Sequence, residues 1–193
     1  MSREMTILVQ QLIKALEIIK NRFEDGSIIN DTAKRLANTW YEMSATFETP
    51  PPSLKWFPTS FEGMLIKGSI SCSFLCPHHL FPVEAKVLVG IIPNGYTIGI
   101  SKITRVIEWA SRKGFTLQET LTKRIADTLW ENDKLKGLIV AIAGRHFCEE
   151  MRGIKKGSPV ITIEERGKIL RKFRFMFIQN LEKLKKEMTK GCI

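Results

Sequence analysis

Hydrophobic residues recur at helical spacing in the first part of the chain. Leucine and isoleucine at every third or fourth position predict an amphipathic helix over 6–23. A second helix is predicted to begin at the N-capping residues around Asn30. The segment 48–60 contains four prolines and predicts an extended linker. We therefore expect an N-terminal helical region with its linker over 1–58, followed by a main domain over 59–193.

The period of the hydrophobic pattern changes after the linker, and apolar runs bounded by turn residues predict strands. The predicted strands lie at 61–75, 80–92, 97–100, 138–144 and 160–164, with an Asn94-Gly95 turn before the short one. The predicted helices lie at 101–112, with Ser101 as the N-cap, at 117–132 and at 169–186. This order of helices, two strands, two helices, two strands and a helix predicts an α+β fold.

Composition limits the class of protein. The chain has 193 residues, 44% of them hydrophobic, with 30 Lys and Arg against 20 Asp and Glu. No stretch approaches the ~20 uninterrupted apolar residues of a membrane span, and polar residues interrupt the N-terminal helix too often for a secretion signal. Membrane, disulfide-rich secreted, collagenous and disordered classes are excluded, and we expect a cytoplasmic protein.

The net charge of +10 is concentrated near the C-terminus. The segment 166–193 has nine basic and two acidic residues and so carries +7 of the total. Such a segment is more often a solvated helix face than a specific site. The alternative is a zinc protein that binds nucleic acid through this basic helix. Against it, the alternate spacing of Phe173, Phe175 and Phe177 is more typical of a strand or a core than of a base-stacking platform.

Histidine and cysteine residues form two short strings, Cys76-Pro77-His78-His79 and His146-Phe147-Cys148. They include all three histidines, and without a secretion signal the cysteines are expected to be reduced thiols. Cys76 and His79 are separated by two residues, a spacing that lets one turn present both side chains to a metal ion. Cys148 as a third soft ligand would leave a tetrahedral zinc with one open position. His78 and His146 would then be proton carriers beside the metal. The alternative is that the two motifs are unrelated and their cysteines are simply buried.

Two further groups of residues have side chains suited to binding a nucleotide. Lys102 and Arg105 lie three residues apart at a predicted helix start, where free backbone N–H groups also attract anions, and Arg152 follows the second string. Solvated cations on a first helical turn are the alternative reading. Gln118-Glu119 could pair with the N–H edge of guanine, although this signal is weak alone.

These motifs together, CPHHL, GISKITRV, LQE and HFCEEMRG in this order and spacing, resemble the GTP cyclohydrolase I family over about residues 27–180. The resemblance implies the tunnelling fold, in which a two-strand, two-helix, two-strand unit assembles into barrel rings. It also implies a homo-oligomer, typically a decamer of two pentamers, with active sites at subunit boundaries.

The resemblance further implies roles for residues of this sequence. The implied zinc ligands are Cys76, His79 and Cys148. The implied acid–base residues are His78 and His146. The implied guanine-binding pair is Gln118 and Glu119. The implied triphosphate clamp is Lys102, Arg105 and Arg152, with Ser101 contacting phosphate or ribose and Arg35 reaching a neighbour's triphosphate.

The implied reaction is attack of zinc-activated water on C8 of GTP, release of formate, and rearrangement and reclosure to 7,8-dihydroneopterin triphosphate. Three positions depart from the usual family pattern, with Pro77 replacing a Glu, Thr116 a Gln and Thr120 an Arg. We expect these changes to affect fine specificity and rate more than reaction type. The alternative enzyme is a relative with the same fold that acts on another purine or pterin, including one of 7-deazaguanine synthesis.

Overall fold

The computed structural model describes residues 2–189 and contains two compact units, one up to Ala45 and one from Thr46 onward. The larger unit therefore includes the proline-containing segment that precedes the first strand. That strand, Trp56–Pro58, pairs with another strand of the same unit. Among residues 2–189, no helix is long and apolar enough to cross a membrane.

The N-terminal unit is a pair of helices. Helix α1 (Arg3–Ile18) begins after Ser2, whose Oγ accepts a hydrogen bond from the Met5 backbone N–H at 3.1 Å. Helix α2 (Ile29–Met43) buries Ala33 and Ala37, against which the apolar stripe of α1 packs. Both helices were predicted from the sequence, and their bounds differ from the prediction by a few residues.

The larger unit contains a four-stranded sheet in which all neighbours are antiparallel. Its strands are β2 (Leu65–Leu75), β3 (Pro82–Pro93), β5 (Leu135–His146) and β6 (Val160–Gly167), in the spatial order β2-β3-β5-β6. Two short strands, β1 (Trp56–Pro58) and β4 (Tyr96–Ile98), form a separate ribbon.

Helices cover both faces of the sheet. Helices α3 (Ile100–Ser111) and α4 (Gln118–Leu129) pack on one face in a core with Val87 and Val89. Helix α6 (Arg171–Thr189) packs on the other face with Leu88. Because both faces are buried, β3 and β5 are almost continuously apolar.

The α+β class and the predicted order of the longer strands and helices are confirmed, whereas three details are corrected. Strand β1 lies in the segment predicted to be an extended linker, because Trp56–Pro58 pairs with β4. Ser101 is not the N-cap of α3, because the helix begins at Ile100 and Gly99 occupies the extended cap position. The four-residue helix α5 (Phe147–Glu150) was not predicted, since it is too short to show a period.

The basic C-terminal segment forms α6, where Phe173 and Phe177 are buried and Phe175 is 61% exposed. Two of the three phenylalanines therefore belong to the core, as their apolar character suggested. Cys192 lies outside the described residues.

Candidate active site

Both Cys–His strings line one cavity at an end of the sheet. Strands β2 and β5 are each antiparallel to β3, so they run in the same direction and finish at the same end. Cys76 follows β2, His146 is the last residue of β5, and α4 begins nearby with Gln118. The cavity has a volume of about 240 Å³, and seven predicted site residues line it: Cys76, His78, His79, Gln118, Glu119, His146 and Cys148.

A larger groove lies elsewhere in this unit. It has a volume of about 680 Å³ and runs between residues 51–54 and α4. Its described lining contains no cysteine or histidine. The smaller cavity is therefore the one lined by the predicted acid–base and ligand residues.

The first string is a tight turn between β2 and β3. The Leu80 N–H donates to the Cys76 carbonyl at 2.9 Å, and the Cys76 N–H donates to the Phe81 carbonyl at 3.1 Å. Leu80 has φ +54°, a left-handed conformation uncommon for a bulky residue. Cys76 is 3% exposed, whereas both histidines of the turn are exposed. The Cys76 Sγ lies 3.6 Å from His78 Nδ1.

The second string is held by a buried ion pair. Arg145, at the end of β5, donates from Nε and Nη2 to the two carboxylate oxygens of Glu150 at 3.0 and 2.5 Å. Arg145 is 7% and Glu150 is 6% exposed. Because these residues flank the second string, their pairing fixes the short helix α5 that carries Cys148.

The electrostatic environment couples the two strings. Burial raises the pKa of the Cys148 thiol, and a charge on Cys76 raises it further, while Arg152 acts in the opposite direction. Burial lowers the pKa of His146, opposed by the carboxylates of Glu119, Glu149 and Glu150. The cavity therefore combines two thiols with an imidazole whose pKa is lowered by burial.

Two thiols and an imidazole are a donor set suited to zinc. Within residues 2–189, no group of three Cys, His, Asp or Glu side chains is already arranged to hold a metal ion. Cys76 and Cys148 nevertheless line the same cavity, and a bound dication would stabilise the thiolate form in which cysteine binds a metal. The predicted ligands thus fit zinc by their chemistry and by their shared cavity.

Gln118 is buried beneath the cavity, with 2% of its surface exposed. Its amide nitrogen donates toward the carbonyls of Ile142 and Val160 and toward Thr162 Oγ1, at 3.2, 2.9 and 3.2 Å. Its amide oxygen lies 3.0 Å from His146 Nε2. The predicted guanine contact of Gln118 would have to replace one of these bonds, whereas Glu119 is exposed at the cavity.

None of the predicted phosphate-binding cations of the larger unit is among the described lining residues of this cavity. Ser101, Lys102 and Arg105 lie in the first two turns of α3 and are not among its described lining residues. Arg152 is exposed beyond α5, and its charge reaches Cys148. Arg35 is exposed on α2, in the other unit.

Several side chains that support the site were not predicted from the sequence. Thr122, Arg145, Glu150 and Thr162 hold Gln118 or α5 in place. Lys67, on β2, donates from Nζ to the Ile100 carbonyl at the start of α3. Apart from the bond of Thr122 to Gln118 four residues earlier, their partners are distant in sequence or lie in an unpredicted helix, so no local pattern marks them.

Histidines, thiols and a carboxylate that line one cavity at the end of an antiparallel sheet are residue types typical of an enzyme active site. The sequence model of the GTP cyclohydrolase I family matches residues 8–181. The chain belongs to the GTP cyclohydrolase I family.

Individual relatives agree with this assignment. GTP cyclohydrolase 1 of Clostridium kluyveri is 36% identical over 170 residues, which is 86% of this chain and 89% of the relative. GTP cyclohydrolase 1 of Carboxydothermus hydrogenoformans is 37% identical over 74% of this chain and 76% of the relative. The protein of the same name from Pyrobaculum aerophilum is 31% identical over 80% of this chain and 83% of the relative.

Solved structures give a weaker likeness. An archaeosine synthase QueF-Like in the apo form has a TM-score of 0.44 at 16% identity, covering 58% of this chain and all of that one. A dihydroneopterin aldolase of Burkholderia thailendensis bound to guanine has a TM-score of 0.38 at 15% identity, covering 55% of this chain and 91% of that one.

Proposed function

We propose that this chain hydrolyses GTP at C8, releases formate and rearranges the product to 7,8-dihydroneopterin triphosphate. The observation that carries the proposal is the single cavity lined by both Cys–His strings and Glu119, in a member of the GTP cyclohydrolase I family. Neither string alone would support hydrolysis, because the ligands and proton carriers come from both.

The metal ligands of this proposal are Cys76, His79 and Cys148. A zinc ion held by two thiolates and one imidazole would supply a water that is acidic enough to act as a nucleophile near neutral pH. Because free thiols are required, we also propose that the protein works in the cytoplasm.

His146 and His78 are the proposed acid–base residues. His146 is half-buried and held by Gln118, so it is a fixed acceptor or donor beside the reacting carbon. His78 is exposed on the first turn and can exchange protons with solvent. Ring opening, sugar rearrangement and reclosure each move protons, which suits two imidazoles at one cavity.

Substrate recognition is divided between Glu119 and the cations. The exposed carboxylate of Glu119 would accept hydrogen bonds from the N1–H and the 2-amino group of guanine. We propose that Lys102, Arg105 and Ser101 bind triphosphate across a subunit boundary, because they do not line the cavity of their own chain within the described residues. Arg152 and Arg35 complete the proposed clamp.

The assembly in this proposal is a homo-oligomer of tunnelling-fold subunits, with a decamer of two pentameric rings as the expected form. It is supported by the two edges of the sheet, β2 and β6, which can pair with strands of neighbouring subunits. Active sites shared between subunits would follow from such a ring.

The direct test is turnover of GTP by the purified, zinc-supplemented protein. We expect stoichiometric formate and, after oxidation, the fluorescence of a neopterin product. ATP is the matched control, because adenine lacks the two donors that Glu119 would bind. Absence of formate from the zinc-loaded protein with GTP would refute the proposal.

A further inference from the structure

A chain of hydrogen bonds runs from α4 through β6 to the imidazole of His146. Thr122 Oγ1 lies 2.8 Å from the Gln118 backbone carbonyl and 2.6 Å from Thr162 Oγ1. Thr162 Oγ1 lies 3.2 Å from the Gln118 amide nitrogen, and the amide oxygen lies 3.0 Å from His146 Nε2. We propose that Thr122, Thr162 and Gln118 are positioning residues that orient His146 and fix its proton on Nε2, so that Nδ1 carries the lone pair.

The direction of each hydrogen bond follows from the number of hydrogens available. A carbonyl can only accept, so the single hydroxyl hydrogen of Thr122 is donated to the Gln118 carbonyl. Thr162 must then donate to Thr122 Oγ1, which leaves a lone pair of Thr162 Oγ1 facing the Gln118 amide. The two amide hydrogens are shared among this oxygen and the carbonyls of Ile142 and Val160.

The orientation of the Gln118 amide is determined independently. Its nitrogen faces the carbonyl oxygens of Ile142 and Val160, and a reversed amide would bring oxygen against oxygen at both contacts. The amide oxygen therefore faces His146, and the imidazole must donate from Nε2–H. In the neutral ring, Nδ1 is then the nitrogen free to accept a proton.

The position of Gln118 is also fixed by packing. A Cβ on Gly144 would lie 2.3 Å from the amide oxygen, so only glycine leaves room for this side chain against β5. The His146 ring contacts buried Phe74 edge-on, with the ring centroids 6.5 Å apart. Packing on one side and a directed hydrogen bond on the other restrict the ring to one orientation.

The kinetic test rests on the proposed function and uses Thr162→Val, which preserves side-chain shape and removes one acceptor of the Gln118 amide. Thr122→Val is the second variant. Its matched control is Thr128→Val on the same helix, because Thr128 makes the same bond to a backbone carbonyl four residues earlier. We expect kcat for GTP to fall about tenfold in Thr162→Val and Thr122→Val, with KM changed less than about twofold and zinc content unchanged.

Two kinetic outcomes would overturn the inference. An increase in KM with unchanged kcat would mean that Gln118 binds the substrate rather than positioning His146. Rates equal to those of Thr128→Val in both variants would mean that the chain of hydrogen bonds has no effect on the imidazole.

A second measurement does not depend on turnover. Nitrogen-15 NMR of histidine-labelled protein, above the ordinary histidine pKa of about 6.5, distinguishes a protonated from a bare ring nitrogen, and His146→Asn identifies the signal. We expect a proton on Nε2 of His146 in the wild type and mixed tautomers in Gly144→Ala. A wild-type proton on Nδ1 would refute the inference even if GTP were turned over, whereas lack of GTP turnover with the expected tautomer would refute only the proposed function.

Discussion

Cys148 and His146 lie two residues apart, and the roles proposed for them can be tested separately. Cys148 is a proposed ligand, whereas His146 is held by Gln118 and is a proposed proton carrier. We expect Cys148→Ala to lose zinc and turnover together, and His146→Ala to keep zinc and lose turnover by at least about a hundredfold, as for removal of a general acid or base. Zinc analysis and formate release measure the two effects.

The control for this pair is Cys72→Ala, which removes a thiol from the side of β2 that packs against the α3–α4 core. It should keep zinc and turnover. Full zinc binding by Cys148→Ala would mean that the ligand set is wrong, although the family would remain the same.

Burial gives Cys72 a second testable property. Burial, together with the charge of Glu108, raises the pKa of this thiol from 9.0 to about 12. Below pH 9 its thiolate fraction is therefore on the order of a thousandfold lower than in the unfolded chain. We expect iodoacetamide to modify Cys72 very slowly in folded protein at pH 8.5 and rapidly in urea, as followed by peptide mass spectrometry. Equal rates in the two conditions would contradict the burial of this thiol.

At the scale of elements, α5 depends on the ion pair between Arg145 and Glu150. Removing one partner of a buried pair is strongly destabilising, by about 3–5 kcal/mol. The loss should lie at the lower end here, because Arg145 Nη1 also lies 3.5 Å from the Glu84 carboxylate. We expect Glu150→Gln to lower the free energy of unfolding by about 3 kcal/mol, measured by urea denaturation, and to weaken zinc binding through Cys148. The exposed pair of Glu165 and Arg174 provides the control, because Glu165→Gln should change stability little. An equal loss in both variants would show that α5 is not held by this pair.

How much of the fold and of the site could be predicted from the sequence depended on the secondary-structure element. The long strands were predictable because apolar runs in β3 and β5 are bounded by turn residues, and the site strings because they contain all three histidines. The hydrogen bond between Gln118 and Thr162 was not predictable, since the two residues lie 44 positions apart and meet only after β5 and β6 pair. The cap of α3 was misassigned because serine is a common N-cap, whereas Gly99 supplies the extended conformation here.

At the scale of the whole molecule, the edge strands of the sheet bear on assembly. Ile163, on the edge strand β6, is 48% exposed. An exposed apolar residue on a sheet edge favours pairing with another chain. We expect light scattering to give a mass several times the 22.1 kDa of one chain. Ile163→Lys should shift the protein toward smaller species and reduce GTP turnover, if sites are shared between subunits.

Ile178→Lys is the matched control for this edge. Ile178 has a similar exposure, 43%, but lies on α6 rather than on a sheet edge. It should leave the mass unchanged. A wild-type protein of one-chain mass with full GTP turnover would contradict the shared-site assembly.

The joining of β3 to β5 has a consequence for the order of folding events. Strands β2 and β3 can form a local hairpin, whereas β5 reaches β3 only after a connection that contains α3 and α4. Contacts across such a separation form slowly, because loop closure costs entropy before pairing compensates it. The two halves of the cavity should therefore meet late in refolding. In stopped-flow experiments, fluorescence of Trp109 and Trp130 should recover no later than the capacity to bind zinc.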